Sequence, residues 1–473
     1  MKDSAYNLCA RDADGNYYLF NSRRGAAHVM TARAYEAFWK AANGAGDLDG
    51  AGKTRRDLLD KGFLVDDEAD ELSEILSAHR QARQSRERLE LLLAPSMACN
   101  LDCFYCFESN RYAGRMSAAV QANIVRLVRR AFEAGTGRLE VTWYGGEPLL
   151  AFAVVDRLSK QFLALCGELG REYSAEIVTN ATLMNHEKAR QLAAWNVKRA
   201  QITLDGVPEL HDARRIARNR KPTFHRILDG IEAAAAHMRV SVRINACRTV
   251  AARLDELLEI LAARGLHRVV SVYVAPLQKV ENPTFPAPYS GSRAPPAGAR
   301  PHVQRLDALD GREAADLELH FNDLLWKHGF ALSNCLPEPR QTTCMADRDH
   351  SWLIEANGVV QKCYWTAGLR AEAVGHLAAD GIVSREPCHK WQEWTTLRDP
   401  GCLQCVMLPL CLGRCPLKHL NRGSDYCPPF KHNWVRALAR SAGVPEEQLV
   451  PVRLPLAADG RADAPPVICA SSG

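Results

Sequence analysis

The sequence has no long apolar run and no long run of like charges. Its longest purely aliphatic stretches, such as residues 91–94, are far shorter than the ~20 residues that a membrane-spanning helix needs. The chain of 473 residues mixes 60 basic with 55 acidic side chains, which gives a net charge of +5 and no reason to expect nucleic acid as a partner. The first residues are polar and do not form a signal peptide. We therefore expect a cytoplasmic protein that binds neither a membrane nor nucleic acid.

Cysteine, in contrast, is abundant, with 16 residues. Disulfides are rare in a reducing compartment, and many of these cysteines stand at C-x2-C or C-x3-C spacings. Metal ligation is therefore the expected role of most of them. Cys9, Cys388 and Cys469 fit no array, and we expect Cys166 and Cys247 to pack in the core.

The most informative stretch is residues 97–108, which contains Cys99, Cys103 and Cys106. Four thiolates would close a zinc site or saturate an iron-sulfur cluster, whereas three on one short loop hold a 4Fe-4S cluster with one iron uncovered. An uncovered iron can bind a substrate. The alternative is a zinc knuckle that is completed by a distant fourth ligand.

The spacing C-x3-C-x2-C, with Tyr105 before the third cysteine, resembles the signature of the radical SAM enzymes. The resemblance implies that Cys99, Cys103 and Cys106 are catalytic, because they hold the cluster whose open iron is chelated by S-adenosylmethionine (SAM). It also implies reductive cleavage of SAM to methionine and a 5'-deoxyadenosyl radical, which removes a hydrogen from a substrate carbon. The protein then contributes binding, orientation and exclusion of water.

From residue 89 onward, short apolar strands alternate with amphipathic helices. We predict strands near residues 89–94, 139–143, 175–178, 200–204, 240–244 and 269–274. Helices are predicted after Ser117 and over residues 152–166, 188–195, 224–237 and 254–263. Six such units imply parallel strands with right-handed crossovers, so we expect an α/β fold of the partial (β/α)6 TIM-type barrel class.

Polar residues and glycines follow these strands at their carboxyl ends, where the loops of a parallel barrel converge. They are Gly145, Gly146, Glu147, Pro148, Asn180, Thr203, Asp205 and Asn245. We expect them to face one mouth together with the cysteine loop. Glycines allow a close approach of the backbone, and the Glu147 carboxylate offers an acceptor for an ammonium group. Strand-end capping is the alternative role of Asn180 and Asp205.

Residues 145–148, Gly-Gly-Glu-Pro, match the radical SAM motif that holds the amino group of SAM. The resemblance implies a SAM site that these residues form together with Tyr105, Asn180, Thr203, Asp205, Arg215 and Asn245. In it, Asn180 and Asp205 serve the ribose hydroxyls or the methionine end, and Arg215 binds the carboxylate. Ala181 departs from the pattern, because relatives usually have Gly after Thr-Asn, and we expect a slightly tighter loop there.

Residues 1–85 have the pattern of a small winged-helix-like domain. The predicted elements are strands over 17–20, 26–30 and 63–65 and helices from Thr31, over 53–61 and over 66–88. The arrangement resembles the recognition element of enzymes that modify ribosomal peptides, in which a leader peptide adds as an extra strand to a sheet edge. The alternative is a structural cap on the barrel.

The C-terminal part carries a second cysteine array, Cys335, Cys344, Cys363, Cys402, Cys405, Cys411, Cys415 and Cys427. Its C-x2-C-x5-C-x3-C core closely resembles the SPASM extension of peptide-modifying radical SAM enzymes. The resemblance implies two auxiliary 4Fe-4S clusters and thus three in all. One would be held by Cys335, Cys344, Cys363 and Cys415, and the other by Cys402, Cys405, Cys411 and Cys427. Two structural zinc sites are the alternative, and without Cys335 the first auxiliary cluster would keep an open iron.

These patterns divide the chain into five parts. They are a peptide-recognition domain at 1–85, a radical SAM partial barrel at 86–278, a Pro-rich insertion with a bridging helix at 279–330, a SPASM domain at 331–440 and a Pro-rich tail at 441–473. Residues 279–305 are rich in Pro, Gly and Ser, and we expect them to form a mobile cover or insertion.

The resemblances imply an enzyme that installs an oxidative cross-link, a thioether or a carbon-carbon bond, in a ribosomally made precursor peptide with a leader. An external electron donor of the flavodoxin or ferredoxin type is the second implied partner. Sulfatase maturation is the nearest alternative, but an Asp acts as base in that family after the cysteine that corresponds to Cys363, and Tyr364 stands there. Peptide epimerisation is a further alternative. A non-catalytic iron-sulfur scaffold or electron carrier would gain nothing from a three-cysteine cluster beside Gly-Gly-Glu-Pro.

Overall fold

A computed structural model describes residues 1–45, 52–103, 105–108, 112, 114–277, 307–332, 336–384, 391, 399–413, 415–417 and 427–452. Cys335, Cys388, Cys469 and the expected cover at 279–305 lie outside the described residues. No helix in the described part of the chain has both the length and the apolar character to cross a membrane.

The N-terminal part folds into the predicted hairpin, helices and short strand. Its elements are β1 (Lys2–Asp3), β2 (Asn7–Arg11), β3 (Tyr17–Asn21), β4 (Ala26–Met30), α1 (Ala32–Ala42), α2 (Gly52–Asp60), β5 (Leu64–Val65) and α3 (Glu71–Gln84). Thr31 and Asp70 cap α1 and α3 through their side-chain oxygens. The helix expected over 66–88 is therefore shorter at both ends. The likeness of this part to a winged-helix recognition element stays a prediction.

Six parallel strands form the centre of the molecule. They are β6 (Arg88–Leu93), β7 (Arg138–Trp143), β8 (Glu172–Thr179), β9 (Val197–Thr203), β10 (Arg239–Ala246) and β11 (Val270–Pro276), adjacent in that order. The connecting helices are α4 (Ala118–Glu133), α5 (Phe152–Leu169), α6 (His186–Ala194), α7 (Pro208–Arg214), α8 (Phe224–Ala235), α9 (Arg248–Ala251) and α10 (Leu254–Ala263). The six predicted strands and the five predicted helices are confirmed, with ends that differ by a few residues.

Alternate positions of the parallel strands are apolar and pack on the helices. In β6 these are Leu89, Leu91 and Leu93, all fully buried. Because successive side chains of a strand point to opposite faces, the other face carries polar groups, among them Glu140 of β7 and Arg243 of β10. Burial on the helix side stabilises the sheet, and the polar face is left for ligands.

The sheet continues past β6 into the C-terminal part. The elements there are α11 (Gly311–Lys327), β12 (Ser351–Ile354), β13 (Val359–Gln361), β14 (Gly375–Ala378), β15 (Gly381–Ser384), α12 (Pro400–Leu403), α13 (Leu408–Cys411), α14 (Phe430–Ala442) and β16 (Val450–Val452). Strand β12 pairs in parallel with β6, and β13, β14 and β15 follow it in antiparallel order. A continuous sheet therefore joins the region expected at 331–440 to the six parallel strands.

The last described strand corrects one expectation. Residues 441–473 were expected to be a tail, but residues 450–452 form β16, which pairs with β2 and completes a four-stranded sheet in the order β16-β2-β3-β4. Phe20 of this sheet meets Phe430 of α14 edge to face, with ring centres 5.6 Å apart. The Ser22 hydroxyl donates to the carbonyl of Val406. The N-terminal part thus packs on the C-terminal cysteine region.

Candidate active site

The cysteine loop follows β6 and lies at the carboxyl ends of the parallel strands, as predicted. Cys99 and Cys103 are buried, Cys106 is half-buried, and all three pack in one cluster with Leu101 and Tyr105. In the described part of the chain no three His, Cys, Asp or Glu side chains form a cage for a single metal ion. The thiolates of a multi-iron cluster lie farther apart than the ligands of a single metal ion, because each thiolate binds a different iron. The three neighbouring thiols therefore fit a 4Fe-4S cluster in their chemistry.

The Gly-Gly-Glu loop lies directly against the chain that enters the cysteine loop. Gly145 has a φ of +105°, and a Cβ on Gly146 would stand 2.3 Å from the carbonyl oxygen of Ala98. The Glu147 N–H donates to that same oxygen at 2.9 Å. Both glycines are thus needed for the contact between the two loops. Pro148 is buried at the start of the short 3-10 turn Pro148–Ala151.

Glu147 is fully buried, and both of its carboxylate oxygens are used within the protein. Oε1 accepts from the Leu149 N–H at 2.9 Å and from the Thr179 hydroxyl at 2.7 Å, and Oε2 accepts from the Asn180 N–H at 2.8 Å. Burial raises the pKa of Glu147, against the lowering effect of these hydrogen bonds. A carboxylate offers about four acceptor positions, so these three hydrogen bonds leave one on Oε2 unused.

Tyr105 is the centre of a buried polar network at the ends of β9 and β10. Its hydroxyl donates to Asp205 Oδ2 and accepts from Arg215 at 2.8 Å. The Asn245 N–H donates to Asp205 Oδ1 at 3.1 Å, and the Asn245 side chain lies 3.4 Å from the Tyr105 hydroxyl. Four residues that the sequence assigned to the SAM site are thus brought together by different elements. Burial raises the pKa of Tyr105 well above its usual value, so its hydroxyl stays protonated.

The guanidinium of Arg215 is buried next to Tyr105 and Asp205. Besides its bond to Tyr105 it forms an ion pair with Asp205 at 4.0 Å, and its Nε is buried without a partner among the described residues. The expected contact with a carboxylate is open to that nitrogen. Neighbouring Arg214, which the sequence left without a role, lies over the Tyr105 ring at 5.5 Å. It also donates to Cys247 Sγ at 3.4 Å, and Cys247 is fully buried, as its expected packing role requires.

Asn180 contacts the cysteine loop. Its Nδ2 donates to Asn100 at 2.9 Å and lies 3.8 Å from Cys99 Sγ. Its Oδ1 accepts from the Thr182 N–H at 3.0 Å, which is the capping role kept as the alternative in the sequence analysis. Ala181, between Asn180 and Thr182, adopts a φ of +58° and is fully buried. The tight loop expected at Ala181 is therefore a left-handed turn.

The polar face of the sheet has a cation that sequence reasoning missed. Arg243 stands beside Thr203 and Tyr273 in the strand register and donates to Asn245 at 2.9 Å. It makes no ion pair with a carboxylate of the described residues, and the charges that act on it most strongly are those of tyrosines. Thr203 itself is half-buried on this face. An alternating strand pattern ending in Asn245 was the only signal in the sequence.

Two aromatic pairs connect the part with the parallel strands to the residues that follow Cys363. Phe107 stacks on Trp365 with ring centres 5.3 Å apart, and Tyr144 meets Tyr364 at 6.1 Å. The Tyr144 hydroxyl bonds to the buried carboxylate of Glu108, two residues after Cys106. An acid therefore lies close to Tyr364, the residue that replaces the expected Asp of sulfatase maturases.

The C-terminal cysteines form two groups. Burial raises the pKa of Cys344 to about 11, and burial together with the nearby Cys344 and Cys415 raises the pKa of Cys363 well above its usual value. The four others, Cys402, Cys405, Cys411 and Cys427, line one cavity. This division equals the one that the resemblance implies, apart from Cys335, which is not described. Cys344 and Cys363 resist ionisation and need a cationic centre to become thiolates, so their group fits an iron-sulfur cluster. The second group fits a cluster because four thiols, the number that one 4Fe-4S cluster needs, line the same cavity.

The fold and this site define a class of protein. Residues 93–261 match the Radical SAM superfamily, so the chain contains a radical SAM domain. Members of this superfamily bind SAM and a 4Fe-4S cluster.

Similarity to one protein extends beyond that domain. The chain is 22% identical to a cysteine-type anaerobic sulfatase-maturating enzyme of Clostridium novyi over 69% of this chain and 87% of that protein. It is 31% identical to a GTP 3',8-cyclase of Rhodococcus opacus, but spans only 46% of it.

Two solved structures have a similar fold. The structure of anSMEcpe with bound AdoMet matches with a TM-score of 0.56 at 16% identity, over 75% of this chain and 99% of that one. Streptococcus suis SuiB bound to the precursor peptide SuiA matches with a TM-score of 0.50 at 16% identity, over 90% and 97%. The chain thus contains a radical SAM domain, is similar to a sulfatase-maturating enzyme over most of its length, and has a fold similar to those of anSMEcpe and SuiB.

Proposed function

We propose that this chain installs an oxidative cross-link, a thioether or a carbon-carbon bond, in a ribosomally made precursor peptide. The observation that carries the proposal is the packing of the cysteine loop against the Gly-Gly-Glu loop and the Tyr105–Asp205 network, beside two further groups of cysteines. When bound, SAM and the clusters would supply a radical that removes hydrogen and a sink for the remaining electron.

The residues of the site would bind and orient the cofactor. Cys99, Cys103 and Cys106 would hold the catalytic cluster. The open acceptor position of Glu147 would take the ammonium group of SAM, and the partnerless Nε of Arg215 would face its carboxylate. Because Tyr105, Asp205 and Asn245 already bond to one another, they would hold these groups in place before the cofactor arrives.

The polar face would receive the peptide. Arg243 lies among Tyr144, Tyr273 and Tyr364, where a cation without a carboxylate partner can bind a peptide carbonyl or carboxylate. Two structural neighbours contain peptides, namely SuiB with SuiA and anSMEcpe with Kp18Cys. These neighbours support a peptide as the substrate class of this chain.

The leader would bind to the N-terminal sheet. In the described structure β4 pairs only with β3, so β4 is an open edge, whereas β16 covers the opposite edge at β2. An extended leader can add to β4 through main-chain hydrogen bonds. The exposed Val29 of β4 would contact it.

The test is mass spectrometry of a candidate precursor peptide after anaerobic reaction with reduced protein and SAM. One hydrogen leaves as an atom and a second as a proton with an electron, so we expect a loss of two hydrogens per cross-link. A peptide whose mass is unchanged in ordinary water but which takes up deuterium in deuterated water would mean that the enzyme is an epimerase. Unchanged mass without deuterium, from every peptide encoded beside this chain, would contradict the proposal.

Sulfatase maturation is the second candidate, favoured by the similarity to the Clostridium novyi enzyme over most of both chains. Tyr364 in place of the expected Asp speaks against it, although Glu108 supplies a carboxylate nearby. Reaction of the protein with a sulfatase peptide that carries a Cys or Ser target decides between sulfatase maturation and peptide cross-linking. Conversion of that residue to formylglycine would establish the second candidate.

A further inference from the structure

A strongly basic segment lies next to the cysteine loop. Between residues 214 and 226 the chain contains six arginines and lysines, and Arg214 and Arg215 turn inward to the Tyr105 network. The other four, Arg218, Arg220, Lys221 and Arg226, are exposed. None of these four forms an ion pair with a carboxylate of the described residues, unlike the neighbouring Arg253 and Arg264.

The backbone of this segment is attached to the cysteine loop itself. The Asp102 N–H donates to the carbonyl of Ile216 at 2.7 Å, and the Arg218 N–H donates to the carbonyl of Asn100 at 3.0 Å. Leu101, between Cys99 and Cys103, forms a β-bridge with Ala217. The exposed cations are therefore fixed over the loop that carries the catalytic thiols.

The same residues surround a cavity of about 200 Å³. Asn100 and Leu101 of the cysteine loop line it together with three of the exposed cations, Arg218, Lys221 and Arg226. No member of the Tyr105 network lines it. The cavity thus reaches the cysteine loop without passing through the residues assigned to SAM.

We infer that the surface formed by Arg218, Arg220, Lys221 and Arg226, here named the basic surface, is the docking site of an acidic one-electron donor protein. This inference rests on the proposed function, because reductive cleavage of SAM needs an electron that neither SAM nor the peptide supplies. The donor is oxidised by one electron and the cluster is reduced by one, with no bond made or broken. Exposed cations beside the cysteine loop that form no ion pair within the described part of the chain attract an acidic partner and speed its association.

Other exposed cations, far from the cysteine loop, serve as a comparison for the basic surface. Exposed cations at the opposite, amino ends of the same strands include Lys198, Arg239 and Arg268. These three residues provide a matched control, because replacing them removes equal charge from the protein without touching the cysteine loop.

The experiment compares two triple variants of the reconstituted full chain. One is R218Q/R220Q/K221Q, and the control is K198Q/R239Q/R268Q. The first readout is the second-order rate at which each protein oxidises fully reduced flavodoxin, followed by flavin absorbance in a stopped-flow instrument. We expect the basic-surface variant to react at least about tenfold more slowly than wild type and to lose most of the salt dependence of the rate. The control should react like wild type.

A second readout separates docking from catalysis. Dithionite is small and needs no docking surface, so both variants should form 5'-deoxyadenosine with dithionite at the wild-type rate. Equal flavodoxin rates for the two variants would overturn the inference. Loss of precursor-peptide affinity with an unchanged flavodoxin rate would assign the surface to the peptide and also overturn it. Absence of 5'-deoxyadenosine from wild type with dithionite would contradict the proposed function instead.

Discussion

At the scale of single residues, the site depends on close contacts between loops. Ala181 adopts a left-handed backbone, which costs a residue with a Cβ about 1–2 kcal/mol. It is held there by Gly230 of α8, where a Cβ would stand 2.5 Å from the Ala181 carbonyl oxygen. The strained turn positions Asn180, which contacts the cysteine loop. Packing around Gly230 therefore holds the turn at Ala181 and, through it, the position of Asn180.

Replacing Gly230 should disturb this turn. We expect G230A to lower the free energy of unfolding by about 1–3 kcal/mol, because the new methyl group overlaps the Ala181 backbone. The control is G167A in α5, where a Cβ meets nothing within 4 Å and should add about 0.5–1 kcal/mol of stability. Denaturant unfolding measures both. Equal effects of the two substitutions would contradict this account.

Replacing Gly146 should lower the activity, because this glycine lies at the contact between the Gly-Gly-Glu loop and the cysteine loop. In G146A the Cβ would overlap the carbonyl of Ala98 and push the Gly-Gly-Glu loop away from the cysteine loop. We expect a loss of 5'-deoxyadenosine formation of at least about tenfold, equivalent to 1.4 kcal/mol. The control G137A meets Glu87 only at 3.4 Å, at the far end of β7, and should retain activity. Wild-type activity of G146A would show that the loops need no contact.

The motif residues could be predicted from the sequence because their chemistry follows from residue type and spacing. Their hydrogen bonds could not. Glu147 bonds to Thr179 and Asn180 at the end of β8, and Arg214 lies on Tyr105. These contacts depend on how distant elements pack. Arg243 was missed because a polar residue in an alternating strand indicates only an exposed face.

At the scale of elements, the N-terminal sheet has one covered edge and one open edge. Periodicity predicted its hairpin and the six parallel strands, since each combines a clear period with turn residues. It could not predict β16, which has three residues and a central proline and forms only because β2 is adjacent. The open edge at β4 is where an extended peptide can pair.

The two edges allow a matched test of leader binding. Val29 on β4 is 51% exposed and Val450 on β16 is 62% exposed. We expect V29E to weaken the affinity for the leader peptide at least about tenfold, or 1.4 kcal/mol, and V450E to leave it unchanged. Fluorescence anisotropy with a labelled leader measures both. If both variants bind as tightly as wild type, the N-terminal part is a structural cap.

The contact between the N-terminal sheet and the C-terminal cysteines gives another element-scale prediction. Phe20 packs in the cluster that contains Cys405, whereas the equally buried Phe38 packs in another cluster, which contains none of the C-terminal cysteines. Each change to Ala should cost about 3–5 kcal/mol of stability. Only F20A should also release iron from the site around Cys405, measured as iron per chain after reconstitution. Equal iron loss in F38A would mean that general instability is responsible.

At the scale of the whole molecule, the parts expected as separate domains are joined. One ten-stranded sheet runs from β11 through the parallel strands to β15, and the N-terminal sheet includes a strand from residues 450–452. Deletion of residues 1–85 would therefore also uncover the packing around Cys405. The proposed leader-binding sheet, the radical SAM domain and the C-terminal cysteines belong to a single connected structure. The sequence could not show this, because the contacts that join them are tertiary.

The central claim is that the loop with Cys99, Cys103 and Cys106 cleaves SAM. The most direct measurement is 5'-deoxyadenosine formed by the reconstituted, dithionite-reduced protein with SAM and precursor peptide. We predict turnover by wild type and by the control C166A, whose cysteine lies in no array, and none by C99A. C405A should still cleave SAM but yield less cross-linked peptide. Full activity of C99A, or no 5'-deoxyadenosine from wild type with its full iron content, would contradict the claim.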